Sequence, residues 1–228
     1  MNEEQLFKEV ERHLLEDDKP SKYLRSNLHK LKNSNLKVIT ALEKIEQNIT
    51  YHPEGNVLNH TLLVIDAAAI VRVYAHDKRN LMWSAMFHDF GKLKATKVRR
   101  GKITAYDHDT IGSKEVSGLL NNYDFLGNEF KEEVENLVKY HMHSLYISRK
   151  LLFANSEQMI LDVDMHDMAL LFFADKLGRG DFSKSEIQRV IAEVIDVLDE
   201  LEAKYNIDMK EVTDKFMELY KMERDFNK

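Results

Sequence analysis

Residues that form tight turns are scarce in this chain, and the scarcity limits the folds open to it. Eight glycines and two prolines among 228 residues are about 4% of the sequence, against about 12% in an average protein. Sandwiches and barrels need a turn after every short strand, so this composition favours long helices with short connections. We therefore predict an all-α fold, and a hydrophobic fraction of 43% suffices for a sizeable core.

Composition also limits the chemistry and the partners. Because the chain has no cysteine, any metal site must be built from His, Asp or Glu. The net charge of −6 disfavours a general electrostatic contact with nucleic acid, so RNA is not a favoured partner. The acidic, amphipathic N-terminal segment does not resemble a secretory signal, and no apolar run approaches the about 18 residues that a membrane span requires. We expect a cytoplasmic protein with no membrane partner.

The spacing of apolar residues predicts helices along most of the chain. Three amphipathic helices fit the first fifty residues, with Pro20 in the first turn of the second. The apolar stretch 57–74 predicts a central helix that is buried nearly all round. A further helix runs from Leu81 to about Asp89, and Gly91 stands where a helix end favours a left-handed residue.

The basic stretch 94–107 interrupts the helical spacing and predicts at most one short β-hairpin, turning at Gly101-Lys102. Its cations could attract an anionic substrate, although a solvated hairpin is the simpler interpretation; they are Lys94, Lys97, Arg99, Arg100 and Lys102. Helical spacing then resumes, and Asp164 is predicted to cap a buried helix. We divide the chain into a helical N-terminal extension at 1–50, a core rich in His and Asp at 51–180, and C-terminal helices packed on that core at 181–228. Those last helices either close the core or form a dimer, so the oligomeric state stays open.

Several polar residues interrupt strongly apolar segments. His60 begins the central helix, the pair His88-Asp89 ends the stretch MWSAMF, and Asp175 follows ALLFFA. A buried carboxylate is costly unless a cation or several donors compensate its charge, and a divalent ion would do so. For His60 alone, a hydrogen-bonded core histidine is the simpler interpretation, and for Asp175 a salt bridge to Arg179.

Taken together, these residues favour a metal site. They lie on separate predicted helices, and in helical bundles the ligands of one site come from several helices that face a common core. A mixed nitrogen and oxygen set suits Mn, Fe, Ni, Co or Zn better than calcium. We expect one or two divalent transition-metal ions as the cofactor.

Five segments carry a resemblance to a known family: HPEGNVLNHTLLVID, AMFHDFGK, ITAYDHDTIGSKEV, NLVKYH and FFADKLGR. In order and approximate spacing, over roughly residues 50 to 180, they resemble the HD superfamily of metal-dependent phosphohydrolases. The likeness is closer still to the HD domain of bacterial tRNA nucleotidyltransferases of the CCA-adding type. The nucleotidyltransferase domain itself is not expected, because no Gly-Ser pair followed by spaced aspartates precedes residue 50.

The resemblance implies an HD-domain helical bundle with a particular set of ligands. It assigns a first metal ion to His60, His88, Asp89 and Asp175, with Asp89 bridging to a second ion where one is present. His108 and His141 would serve that second ion. The segment around His108 departs from its relatives, since Asp107 replaces a glycine and Asp109 a glutamate. We prefer His141 to His143 because residues two apart lie on different faces of a helix.

The remaining histidines are expected in loops or at the surface, with His52 at the pocket rim; they are His13, His29, His52, His76 and His166.

The implied activity is hydrolysis of a nucleotide-type phosphomonoester or cyclic phosphodiester by metal-activated water. Asp89 and Lys92 are the expected catalytic residues, and Lys92 and Arg179, with Lys94 behind them, are expected to bind the small phosphorylated substrate. For Lys92 the alternative is a solvated lysine favoured by the helix dipole.

Two other functions stay open. One is a non-catalytic nucleotide- or RNA-binding regulatory module with a structural metal, and the other is oxidative chemistry at iron on a non-phosphate substrate.

Overall fold

The computed structural model describes residues 2–179 and 182–225, the last four of these by their backbone alone. Within this part of the chain the fold is all-α apart from one hairpin, which confirms the predicted fold class. The helices are α1 (Glu3–Glu16), α2 (Pro20–Ser26), α3 (Leu28–Leu31), α4 (Lys37–Ala41), α5 (Val57–Val71), α6 (Lys78–Phe87), α7 (Lys92–Ala95), α8 (His108–Leu120), α9 (Asn128–Tyr140), α10 (His143–Ser148), α11 (Ser156–Asp162), α12 (Met165–Leu177), α13 (Lys184–Tyr205) and α14 (Lys210–Asp225). Strands β1 (Lys97–Arg99) and β2 (Lys102–Thr104) pair antiparallel, and short 3₁₀ turns follow α4 and α5.

The N-terminal helices pack against the core, but they are shorter than predicted. Pro20 is the first residue of α2, as expected. The second and third predicted helices are each broken, the second at Asn27, whose side-chain amide donates to the carbonyl of Tyr23 and so competes with the helix. Phe7 of α1 stacks on Trp83 of α6, with ring centroids 4.1 Å apart, which ties the extension to the core.

Helix α5 is the central element, as its composition predicts. It packs against α2, α6 and α12, so its side chains are buried on nearly every face. By length and composition alone, residues 57–74 could cross a membrane, so the expectation that no apolar run reaches this length was wrong. In the structure 61% of that window is buried inside the protein, as in a core helix.

Two turn predictions were wrong in detail. Gly91 has a right-handed φ of −61°, so it is not a left-handed helix end. A Cβ at Gly91 would lie 1.8 Å from the carbonyl oxygen of His108 and 2.6 Å from the nitrogen of Gly112, so glycine is required because α8 passes close by. The hairpin turns at Arg100-Gly101, one residue earlier than predicted, and both residues have positive φ, as two-residue hairpin turns require.

The C-terminal helices close the core. Asp164 caps α12 by accepting from the backbone N–H of His166 and Asp167, as predicted. The apolar face of α13 is buried on α12, and Phe216 of α14 contacts Phe173, with ring centroids 5.6 Å apart. The expected boundary between core and C-terminal layer, at residues 180 and 181, and the last three residues lie outside the described residues. The three-part division of the chain stays a prediction.

Candidate metal centre

Three buried histidines share one local arrangement. His88 and His141 directly follow α6 and α9, and His108 begins α8. In each, Nδ1–H donates to the backbone carbonyl oxygen of the residue three positions earlier. The distances are 2.9 Å from His88 to Ala85, 2.8 Å from His108 to Ala105 and 2.6 Å from His141 to Val138. Because Nδ1 carries the hydrogen, Nε2 of each ring presents a lone pair. The helix termini therefore fix three rings with this nitrogen free.

His60 reaches the same place from the first turn of α5. Its Nδ1 lies 2.9 Å from Oε1 of Glu54 and 3.1 Å from the carbonyl oxygen of Gly178, so both neighbours accept from it. Its Nε2 lies 3.1 Å from Oδ1 of Asp175. Glu54 thus orients His60, a role that was not predicted from the sequence. The available signal was an acidic residue two positions after His52 in the HPEG loop.

Asp89 lies between two groups of side chains. Its Oδ2 is 3.4 Å from Nε2 of His88 and 3.6 Å from Nε2 of His60. Its Oδ1 is 3.3 Å from Nε2 of His108 and 3.9 Å from Nε2 of His141. We call His60, His88, Asp175 and Oδ2 of Asp89 the first cluster, and His108, His141 and Oδ1 of Asp89 the second cluster. The structure thereby brings together all six residues that the sequence proposed as ligands.

Unsatisfied polar atoms show that these clusters fit a cation. Nε2 of His88 is buried and has no hydrogen-bond partner among the described residues. Nε2 of His108 and Nε2 of His141 lie 3.3 Å apart, and since both Nδ1 atoms carry hydrogens, two lone pairs face each other. A cation or a proton between them is needed to relieve that contact. Each cluster offers imidazole nitrogens and a carboxylate oxygen, which suits a divalent transition ion.

The charges around the centre also favour binding of a cation. Burial by itself would raise the pKa of Asp89, but the Lys92 ammonium and the nearby His88 hold it well below the ordinary value. Burial likewise opposes ionisation of Asp175, whose pKa is kept well below its usual range chiefly by Arg179 and then by His60. Burial and the charge of neighbouring His108 lower the pKa of His141 to about 3. Two ionised carboxylates and the neutral ring of His141 therefore lie together away from water.

Lys92 is part of the centre. It is buried at the start of α7, and its Nζ donates to Oδ2 of Asp89 over 2.7 Å and to Oε1 of Gln47 over 2.6 Å. The alternative of a solvated lysine is wrong. Lys94 is exposed and pairs with Glu115, and the other cations of the hairpin are exposed as well, in line with a solvated hairpin.

Arg179 lies half-buried at the edge of the first cluster. It forms the expected salt bridge to Asp175, 2.7 Å from Oδ2. The pair engages only that oxygen, which leaves Oδ1 directed at His60. The salt bridge and a ligand role for Asp175 are therefore compatible.

His143 is buried too, which the sequence did not anticipate. Helix α9 ends at Tyr140 and α10 begins at His143, so the assumption that His141 and His143 share one helix was wrong. His143 packs between Tyr140 and Tyr146, at centroid distances of 4.9 and 5.4 Å. Of these two histidines, His141 is the one whose Nε2 faces Asp89.

Asp107 and Asp109, the two residues that depart from the expected sequence pattern around His108, are both accommodated by the structure. Asp107 has a φ of 58°, a left-handed conformation that favours glycine but that aspartate also tolerates. Asp109 accepts a hydrogen bond from the hydroxyl of Tyr146 over 2.9 Å, which holds its carboxylate away from the two clusters. Neither change displaces His108.

The other histidines are distributed as follows. His29 and His76 are exposed, whereas His13 is half-buried against Tyr23, and His52 is half-buried in its loop beside Glu54. The expectation for His166 was wrong, because it is buried in the first turn of α12. Its neighbour is His76, away from both clusters.

Comparison with known protein families agrees with the resemblance seen in the sequence. No curated protein matches the chain. The sequence model of the HD domain matches residues 57–204, which is more than half of the chain and includes every ligand of both clusters. HD domains are typically metal-dependent hydrolases. On this match and this architecture, the chain belongs to the HD domain family.

Proposed function

We propose that this protein is a metal-dependent phosphohydrolase that cleaves a phosphomonoester or cyclic phosphodiester of a nucleotide. One observation carries the proposal: Asp89 directs its two oxygens at two separate sets of imidazole nitrogens that have lone pairs available. This arrangement suits two divalent ions that share one carboxylate. The family match supports the same class of chemistry.

Divalent ions bound there would lower the pKa of a coordinated water and neutralise phosphate oxygens. The chain supplies the rest. His60, His88, Asp89 and Asp175 would hold the first ion, and His108 and His141 with Asp89 would hold the second. Lys92 already donates to Asp89, so its ammonium is placed to donate to a phosphate oxygen beside the first cluster. Arg179, at the half-exposed edge, would bind a more distant phosphate oxygen.

The finer assignment rests on the sequence segments. We propose that the core is most similar to the HD domain of bacterial tRNA nucleotidyltransferases, and that the protein is cytoplasmic and acts on a small phosphorylated substrate. The left-handed backbone at Asp107, where those relatives have glycine, supports the likeness because it accounts for the relatives' residue.

The test is a hydrolysis assay with matched variants. Purified protein is supplied with Mn²⁺, Ni²⁺ or Co²⁺ and assayed on 2′,3′-cyclic nucleotides and nucleoside monophosphates. We expect metal-dependent release of product that falls at least ~100-fold in Asp89→Asn, since losing a ligand should cost no less than losing a residue that orients one. Asp124→Asn, at an exposed position, is the control and should keep full activity.

Three results would contradict the proposal. Equal activity of Asp89→Asn and the control would place the reaction elsewhere. Tight, metal-dependent nucleotide or RNA binding with no turnover of any phosphoester would instead favour the regulatory module. Oxidation of a substrate without release of phosphate would favour iron chemistry.

A further inference from the structure

Three polar side chains from distant segments meet outside the centre. His76 follows the 3₁₀ turn after α5, His166 lies in the first turn of α12, and Glu211 lies in the first turn of α14. One ligand-type atom of each lies within 4.8 Å of the other two. We call these three residues the surface cluster. It shares no residue with the two clusters around Asp89.

Hydrogen bonds fix which nitrogen of each imidazole is free. His76 donates Nδ1–H to Oδ2 of Asp164 over 2.8 Å, and His166 donates Nε2–H to the carbonyl oxygen of Tyr74 over 2.9 Å. His76 therefore keeps a lone pair on Nε2, and His166 keeps one on Nδ1. Histidines that bind metals have the same arrangement, because the second nitrogen donates to a carboxylate or a carbonyl and so sets the ring orientation.

The separation of His76 and Glu211 fits two ligands better than a hydrogen bond. Nε2 of His76 lies 3.8 Å from Oε2 of Glu211, which is too long for a hydrogen bond. Two ligands of one tetrahedral zinc ion, each about 2.1 Å from it, lie about 3.4 Å apart. Glu211 is exposed, so a small rotation of its side chain reaches that separation. The rings of His76 and His166 are stacked, with centroids 4.0 Å apart and planes 29° from parallel, so one ring must turn for both lone pairs to face a common ion.

The surroundings hold the cluster in place and leave it accessible. Asp167 accepts from the backbone N–H of His76 over 2.8 Å and of Asp77 over 2.9 Å, which fastens the loop of His76 to α12. A pocket of about 350 Å³, open to solvent, is lined by all three residues of the cluster. An ion therefore has an entry path and room for a water ligand.

We propose that the surface cluster is a separate binding site for a divalent transition ion of the zinc type, which joins the start of α14 to the core. Two imidazoles and a carboxylate form a ligand set that zinc accepts, with a fourth position left for water. An ion that binds only the native structure stabilises it, so the bound ion would strengthen the attachment of α14.

The competing explanation is an ion-pair network without a metal. The hydrogen bond to Asp164 raises the pKa of His76, so a protonated ring could lie between Asp164 and Glu211. Zinc binding separates the two explanations, because a bound ion replaces that proton. The experiment therefore measures the metal itself and needs no assay of hydrolysis.

Metal-free protein is titrated with Zn²⁺, and bound zinc is counted by mass spectrometry after gel filtration. Glu211→Gln is compared with Glu218→Gln, an exposed glutamate on the same helix. Each is also made in the Asp89→Asn background, in which ion binding at the centre is weakened. We expect Glu218→Gln to keep the wild-type number of ions, and Glu211→Gln and His76→Gln to lose one ion or bind it at least tenfold more weakly. The same difference should persist with Asp89→Asn. Equal zinc binding by Glu211→Gln and Glu218→Gln would overturn the proposal in favour of the ion-pair network.

Discussion

The centre around Asp89 and the surface cluster combine the same residue types in opposite surroundings. The ligand candidates of the centre are all buried, and Lys92 and Arg179 keep its carboxylates ionised. In the surface cluster only His166 is buried, whereas His76 and Glu211 are exposed. Charges interact more strongly away from water. Because of these different surroundings, side chains of the two regions should differ sharply in how much each one contributes to stability.

The largest effect should come from removing the cation beside Asp89. In Lys92→Met a buried carboxylate loses its partner, so the metal-free protein should lose about 3–5 kcal/mol of unfolding free energy. With Mn²⁺ bound the loss should shrink, because an ion then compensates the charge of Asp89. Urea unfolding with and without Mn²⁺ measures both values. Lys94→Met is the control, since its exposed pair with Glu115 is worth about 0–1 kcal/mol. Equal losses in both conditions would contradict an ion at Asp89.

A second test crowds the helix contact that places His108. The Cβ of Gly91→Ala would collide with backbone atoms of α8, so we expect a loss of about 1–3 kcal/mol or more, with weaker metal binding by the second cluster. Gly118→Ala, on the same helix with open space around it, should gain about 0.5–1 kcal/mol. Both follow from urea unfolding. A Gly91→Ala protein as stable as Gly118→Ala would show that α8 does not lie this close.

A third test removes the charge that orients His60. Burial opposes ionisation of Glu54, but its bonds from His52 and His60 lower its pKa to about 2, so it is a carboxylate at neutral pH. Glu54→Gln keeps the size of the side chain and removes the charge. We expect about 10–100-fold weaker binding of the first ion, by the usual effect of residues that orient ligands. Isothermal titration with Mn²⁺ checks it, with the exposed Glu43→Gln as control. Unchanged affinity would exclude this role for Glu54.

The smallest effect should occur at the surface cluster. Glu211 is exposed, so Glu211→Gln should change the metal-free unfolding free energy by no more than about 0.5 kcal/mol and leave hydrolysis unchanged. Urea unfolding of chelator-treated protein measures this, with Glu218→Gln alongside. A loss as large as that of Lys92→Met would show that the two regions do not differ as described.

The same contrast explains which site residues the sequence reveals. His88, Asp89 and Asp175 interrupt apolar runs, and together with His60 on a separate predicted helix they mark a candidate metal site. Glu54 lies in a polar loop, where an acidic residue is common and does not indicate a functional role. The surface cluster joins three segments that are far apart in sequence, so no local pattern marks it.

The fold shows a similar division. Helical spacing and scarce turn residues predict the all-α class, because both are local properties of the chain. The reason for Gly91 is the approach of α8, and the burial of His143 follows from a helix break at Met142. Both depend on tertiary contacts and helix ends, which spacing alone does not determine.

Anomalous scattering at the manganese edge, from crystals grown with Mn²⁺, tests the central claim most directly. It locates each ion independently of activity. We predict one peak within bonding distance of His60, His88 and Asp175 on one side of Asp89, and a second peak beside His108 and His141 on the other. Crystals that contain manganese but show no peak at either oxygen of Asp89 would contradict the account.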